Sequence, residues 1–435
     1  MSKIEDEFML VKQRGDALRD AGDLQGALQA YEQAIQLRPQ FWGAHYEKGD
    51  VLLKLNNPLN AANAFMTAWL HSRFRKEPAL MCGRALVLAN FSIEACLVFE
   101  KILPKDLDEF SALMFAEALQ KEGRARSGLA LAPLFKNIVD PAVHRVLGAI
   151  FVDLGDIPQA KKHLEKVVDN DGNGYVHDRL IAVYYAENNW TALRQILKQA
   201  AQRYSNPYYH VQKVALDILM DQPVNDLESW LQREQGEIVD SARYIKPHIA
   251  NGCQLTGTTY QTFEIIQSMV PDFGLLLEFG VRNGHSIYRL AEMFPSRQVY
   301  GFDSFEGLPE AWNNESAGSY TALGRLPKVP ANVEFVVGWF NETLPGFKKA
   351  HSEPIAFMNV DCDLYSATKT IFEEMDAQIV PGTIIVFDEY LVNKSWREDE
   401  FKAFQEWVSA QNVKYEYLAA SLYTKQAAVR ILEKG

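Results

Sequence analysis

The chain has 435 residues, two or three domains at about 150 each, and its 48% hydrophobic and 23% charged residues exclude a disordered or fibrous polypeptide. Its 44 Lys and Arg against 56 Asp and Glu give a net charge of −12, which argues against a nucleic-acid partner. There is no apolar run of the roughly 18 residues a membrane span needs, the start (Met1 to Glu7) is polar and unlike a leader, and the four cysteines are scattered, so the expected compartment is the cytoplasm, away from any membrane.

In chain order, an offset of 34 residues aligns Gly15, Gly49 and Gly83, then Ala27, Ala61 and Ala95, then Tyr31, Phe65 and Phe99. Small residues recur where two helices must approach closely, and the aromatic fills the gap they leave, so the period marks a helical repeat. The segment Arg14 to Pro39, RGDALRDAGDLQGALQAYEQAIQLRP, resembles a tetratricopeptide repeat, and residues 147–168 recover the pattern. Five or six helical hairpins are expected between residues 8 and 203, in a repeat domain covering 1–204. Stacked repeats leave a concave groove. It would take a peptide, a protein partner or a second copy in a homo-oligomer; otherwise the repeats only extend the second half of the chain and hold a dimer together. Turn signals at Ser205-Asn206-Pro207 and Asp221-Gln222-Pro223, with a helix expected over 226–238, make 205–245 a helical connector.

From residue 246 a third region is expected, and from 274 short apolar runs alternate with helical stretches, the pattern of βαβ units and a parallel sheet. The expected strands are Leu275–Phe279, Gln298–Phe302, Val333–Val337, Ile355–Asp361 and Thr383–Asp388, with an antiparallel pair Tyr415–Ala419 and Ala427–Leu432 closing the sheet. Ligands of such sheets sit beyond the carboxyl ends of the strands. The first strand ends in Glu278-Phe279-Gly280-Val281-Arg282-Asn283-Gly284-His285-Ser286, where Gly280 and Gly284 allow a tight turn into a helix N-terminus that favours a negative group. The second ends in Gly301-Phe302-Asp303, and an acid there commonly takes a ribose hydroxyl pair. Asp361, Asp363, Asp388 and Glu389 follow two further apolar runs. Alternation along an extended chain puts Asp361 and Asp363 on one face and Cys362 on the other. Like charges about 4 Å apart repel by roughly 4 kcal/mol at an effective dielectric near 20. A hard divalent cation such as Mg²⁺ relieves that repulsion; N-caps or ion pairs with Arg and Lys are the other outcome.

The blocks LEFGVRNGHSI, VYGFDSFEGLPEAW, GWFNETLPGF, MNVDCDLYSATKTIFEEM, PGTIIVFDEY and SWREDEFKAFQEWV, in that order, resemble the macrocin O-methyltransferase-like family over about residues 270–432. The resemblance implies a class I (Rossmann-like) methyltransferase fold with a mostly parallel seven-stranded sheet, behind the α-helical repeats. It implies the cofactors S-adenosyl-L-methionine and Mg²⁺, and a hydroxyl acceptor on a sugar, a glycosylated natural product or a glycan. By position, Glu278, Gly280, Gly284 and Ser286 match the first cofactor motif, and Asp303, between Phe302 and Ser304, matches the ribose-binding acid. Gly338 and Trp339 match the block beside the adenine, unless Trp339 is core. Asp361, Asp388 and Glu389 match the metal ligands, and Asp363 matches the general base. Glu389 stands where some members have Asp. His285 is a cofactor-side contact or a cap, and Trp396, Glu400 and Phe401 are a substrate lid or an ordinary amphipathic helix. The rival reading is a repeat scaffold whose second half acts on a carrier-bound or protein acceptor, or is catalytically silent.

Overall fold

In a computed structural model that describes residues 3–435, the chain forms two compact units that divide between Ile150 and Phe151. The first holds helices α1 (Lys3–Asp20), α2 (Leu24–Leu37), α3 (Trp42–Lys54), α4 (Pro58–His71), α5 (Lys76–Leu88), α6 (Ser92–Phe99), α7 (Glu109–Lys121) and α8 (Ala125–Leu129), paired in sequence as four hairpins. Asp23, Asn57 and Asp108 start α2, α4 and α7 by accepting the backbone N–H three residues on. A Cβ on Gly15, Gly49 or Gly83 would stand 2.8, 2.7 or 2.6 Å from the ring of Tyr31, Phe65 or Phe99. The 34-residue period is thus a packing pair, glycine on one helix and ring on the next. After α6 a nine-residue connection containing the short turn Pro104–Asp106 breaks that period, and α8 is only five residues long.

Helix α9 (Pro141–Asp153) crosses the division. The second unit continues with α10 (Ile157–Leu164), α11 (Tyr175–Ala186), α12 (Trp190–Arg203), α13 (Pro207–Leu219), α14 (Leu227–Leu231) and α15 (Gly236–Ala250). Where the sequence predicts one helix over 226–238 there are two, because the chain turns tightly at Gln235, which is left-handed (φ 62). A Cβ on the next residue, Gly236, would lie 2.4 Å from the Leu231 carbonyl oxygen.

The rest of this unit is a sheet with helices on both faces: β1 (Gln254–Leu255), α16 (Thr259–Gln267), β2 (Leu275–Phe279), α17 (His285–Met293), β3 (Val299–Asp303), β4 (Val333–Val337), α18 (Phe340–Ala350), β5 (Ile355–Val360), α19 (Tyr365–Met375), β6 (Ile384–Phe387), α20 (Glu400–Ala410), β7 (Lys414–Ala420) and β8 (Ala427–Glu433). The strand order is β1-β7-β8-β6-β5-β2-β3-β4, with β8 antiparallel to both neighbours and every other pair parallel. There are eight strands, not seven: β1 is two residues long and pairs with β7, too short to leave a periodic signal. β2 and β5, each buried at every position, form the centre, as doubly covered parallel strands must. From β2 the chain proceeds outward through β3 and β4, then returns to β5 on the other side. That reversal opens a crevice at the carboxyl ends of β2 and β5. Among the described residues no helix is long and apolar enough to cross a membrane.

Candidate active site

The turn from β2 into α17 forms one wall of this crevice. Gly280 has φ +91, and a Cβ on it would meet the Asp361 carbonyl oxygen at 1.7 Å, so the end of β5 presses directly on the turn. Gly284 has φ +78 and precedes α17 without a capping side chain. Glu278 is sealed from solvent. Its carboxyl accepts from Ser286 Oγ at 2.9 Å and from Asn359 Nδ2 at 3.3 Å, and burial pushes its pKa up to about 8. Glu278 and Ser286, expected against a cofactor, therefore form an internal strut joining β2, β5 and α17. His285 stacks on Tyr260, ring centroids 5.1 Å apart.

At the end of β3, Asp303 Oδ2 accepts from the Val281 and Arg282 N–H groups, both at 2.7 Å, and Oδ1 from Phe305 N at 2.6 Å. The acid braces the glycine turn and keeps acceptor capacity on a carboxylate with about four lone-pair sites. Phe302 is fully buried and stacked on Phe279, so its ring is core and not a ligand contact. Ser304 Oγ accepts from Glu306 N at 3.1 Å. Gly338 (φ +138) donates its N–H to the Asp303 carbonyl at 3.0 Å and so sits beside that strand end, with half-buried Trp339 next to it, at the start of α18.

The acids gather on the opposite wall. β5 stops at Val360, so strand alternation does not carry to Asp363, which is left-handed (φ 63). Asp361 and Asp363 nonetheless share one electrostatic neighbourhood, while Cys362 is buried with Sγ 3.4 Å from Thr368 Oγ1. Asp361 is held above the usual carboxylate range by burial, then by Asp388 and Asp363. Asp363 is pushed up to about 7 by burial, then by Glu389 and Asp388. Burial and then Glu389 also raise Asp388. All four expected acids are only partly buried, so solvent reaches the cluster.

Sequence reasoning missed two residues here, Lys425 and Gln426, and read a third, Glu400, only as part of a lid or an ordinary helix. Glu400, at the start of α20, is fully buried and raised by burial, then by Asp363 and Asp388; one of its oxygens has no partner. Gln426 Nε2 donates to Asp388 Oδ1 at 2.5 Å, and Lys425 Nζ donates to the two Glu389 oxygens at 3.2 and 3.0 Å. Neither carries a local signal, because both come from the turn after β7. Trp396 is 2% exposed and Phe401 packs against it, so this segment is a packed element and not an open lid.

The donor set is all oxygen, the chemistry of a hard divalent ion, and the repulsion that raises Asp361 and Asp388 is what such an ion removes. Those two fit. Glu389 is turned to Lys425 and Asn393, and among the described residues no three His, Cys, Asp or Glu side chains are disposed to hold one ion. The crowded Gly280 turn and the uncapped α17 N-terminus fit a cofactor that brings a carboxylate.

Residues 277–390, which hold every one of these strand ends, match a methyltransferase domain family, and residues 15–56 match a TPR repeat. The chain carries a methyltransferase domain. Its curated relatives include the 8-demethyl-8-(2,3-dimethoxy-alpha-L-rhamnosyl)-tetracenomycin-C 4'-O-methyltransferase of Streptomyces olivaceus, 30% identical over 164 residues, 32% of this chain and 61% of that protein. The mycinamicin III 3''-O-methyltransferase of Micromonospora griseorubida is 26% identical over 145 residues, 27% of this chain and 56% of that one. The chain spans about three fifths of the length of these relatives. Among solved structures, CalS11, a calicheamicin methyltransferase, is 19% identical at a TM-score of 0.31, covering 52% of this chain and 94% of that chain. The methyltransferase domain thus takes in the glycine turn, Asp303 and all four expected acids, whereas Glu400, Lys425 and Gln426 lie beyond the matched residues.

Proposed function

We propose that the chain is a cytoplasmic, S-adenosyl-L-methionine-dependent O-methyltransferase whose acceptor is a hydroxyl of a sugar or a glycosylated small molecule. The observation that carries this reading is the solvent-reached group of acids facing the glycine turn across the β2/β5 crevice. Two relatives named as O-methyltransferases, one of a rhamnosyl compound, support the acceptor class. The TPR repeat adds a surface for a protein partner or a second copy.

S-adenosyl-L-methionine, when bound, supplies an already activated methyl group. The chain's own contribution is placement and charge. Gly280 and Gly284 shape the turn on which the cofactor rests, and Asp303 holds that turn while offering an acceptor to the ribose. Asp361 and Asp388 would hold a divalent ion, with Glu389 once it leaves Lys425, and such an ion would supply positive charge that makes a hydroxyl easier to deprotonate. Asp363, beside the same acids, would take the hydroxyl proton as the oxygen–methyl bond forms and the cofactor's sulfur–methyl bond breaks. A positioned base contributes about 10²–10⁴-fold.

The test is a cofactor-consumption assay on the full chain with a panel of sugars, glycosides and phenols, with and without EDTA. S-adenosylhomocysteine should appear with a glycoside and stop with chelator. Tight S-adenosylhomocysteine binding with no turnover of any hydroxyl would defeat the reading in favour of a silent scaffold.

A further inference from the structure

The turn between β7 and β8 is built to deliver two side chains to the acids. Ser421 Oγ accepts from the Tyr423 and Thr424 N–H groups at 3.2 and 2.9 Å, and Ser421 N donates to the Gln426 carbonyl at 2.9 Å. Leu391 N donates to the Lys425 carbonyl at 2.9 Å, fastening the turn to the segment after β6. Behind the turn, Gln212 Nε2 from α13 donates to the Leu422 carbonyl at 3.1 Å. Lys425 itself is left-handed (φ 65), a conformation that in a non-glycine residue persists only where the surroundings fix it.

From this position Lys425 binds both oxygens of Glu389, and Asn393 Nδ2 binds one of them. Its charge also favours the ionised forms of Asp363 and Asp388. One ammonium therefore faces Asp363, Asp388 and Glu389. It compensates a single charge and holds Glu389 by both oxygens, and among the described residues no three His, Cys, Asp or Glu side chains are disposed to hold one ion.

We propose that Lys425 is the resident cation of the acid cluster: it latches Glu389 outside the Asp361–Asp388 pair, and a divalent ion entering the cluster must displace it. The inference rests on the divalent-ion reading above. It makes the occupied and ion-free states two alternative pairings of one carboxylate.

Mg²⁺ binding to the full chain by calorimetry, and melting in EDTA and in excess Mg²⁺, test it. Lys425→Met should bind Mg²⁺ about fivefold tighter than wild type, the worth of a partly exposed ion pair. It should melt lower than wild type in EDTA, with the gap closing at saturating Mg²⁺, while Lys425→Arg behaves as wild type. Should the methionine chain not fold, Lys425→Gln makes the same comparison. Equal or weaker Mg²⁺ binding by the substituted chain overturns the latch and leaves the ion site standing. No Mg²⁺ binding by either chain overturns the ion site, and the latch with it.

Discussion

Glu278 is an acid placed where water does not reach, and its stability cost depends on pH. Its ordinary pKa of 4.5 rises to about 8 in the fold because burial disfavours the charged form. The folded chain therefore holds this proton more tightly than the unfolded one. The contribution is fully present below pH 4.5 and is lost as pH rises toward 8. Glu278→Gln keeps a hydrogen-bonding side chain for Ser286 and removes the ionisation, so its melting temperature should fall less than that of wild type between pH 5 and pH 8. The difference should be on the order of a few kcal/mol at the alkaline end; parallel pH–melting curves would show that Glu278 is not held neutral. Gly280→Ala is the opposite kind of change. It adds an atom 1.7 Å from a backbone oxygen at a left-handed position, and should abolish S-adenosylhomocysteine binding in calorimetry. Retained affinity would mean that the turn is not the cofactor's seat.

At the scale of elements, what decides the site is how the segment 388–399 is held. Ser241 Oγ on α15 accepts from Val392 N at 2.9 Å, Asp240 on the same helix pairs with Arg397, and Tyr244 packs edge-on against Trp396 and Phe401. Trp396 is thus an anchor. Trp396→Ala should destabilise the chain by about 3–5 kcal/mol, the cost of emptying a core indole site, measured by denaturant unfolding. A loss below about 1 kcal/mol would return this segment to the role of a loose cover. The central strands were legible because buried parallel strands read as apolar runs, and the glycine–ring period was legible because it repeats. Alternation failed at Asp363, since the strand stops three residues earlier and the chain turns left-handed. Lys425 and Gln426 could not be read at all, and Glu400 was read without its place among the acids. Each meets the acids only through tertiary folding, from 11 to 38 residues away along the chain, where no local spacing records the contact. Phe302 and Glu278 sit within the right motif but face inward, because a motif fixes where a backbone turns and not which side chains meet solvent.

For the whole molecule, the two compact units have separate sources of cohesion. Through Ile150 the chain is held by helices in sequence, each glycine receiving a ring from the next helix. From Phe151 on it is held by a sheet whose pairings join residues far apart in sequence. Contacts within a helical repeat are local and form an additive stack, whereas a sheet with crossovers is lost as one piece. Scanning calorimetry of the full chain should therefore resolve two transitions, and each unit offers a handle on its own. Gly49→Ala places a Cβ 2.7 Å from the Phe65 ring, an overpacking of about 1–3 kcal/mol. In a unit of this size it should lower one transition by about 2–8 °C and leave the other in place. S-adenosylhomocysteine should raise only the transition that Gly49→Ala leaves unmoved, since a ligand stabilises the unit that binds it. If both perturbations move the same single transition, the units unfold as one, and the repeats are part of what stabilises the methyltransferase domain.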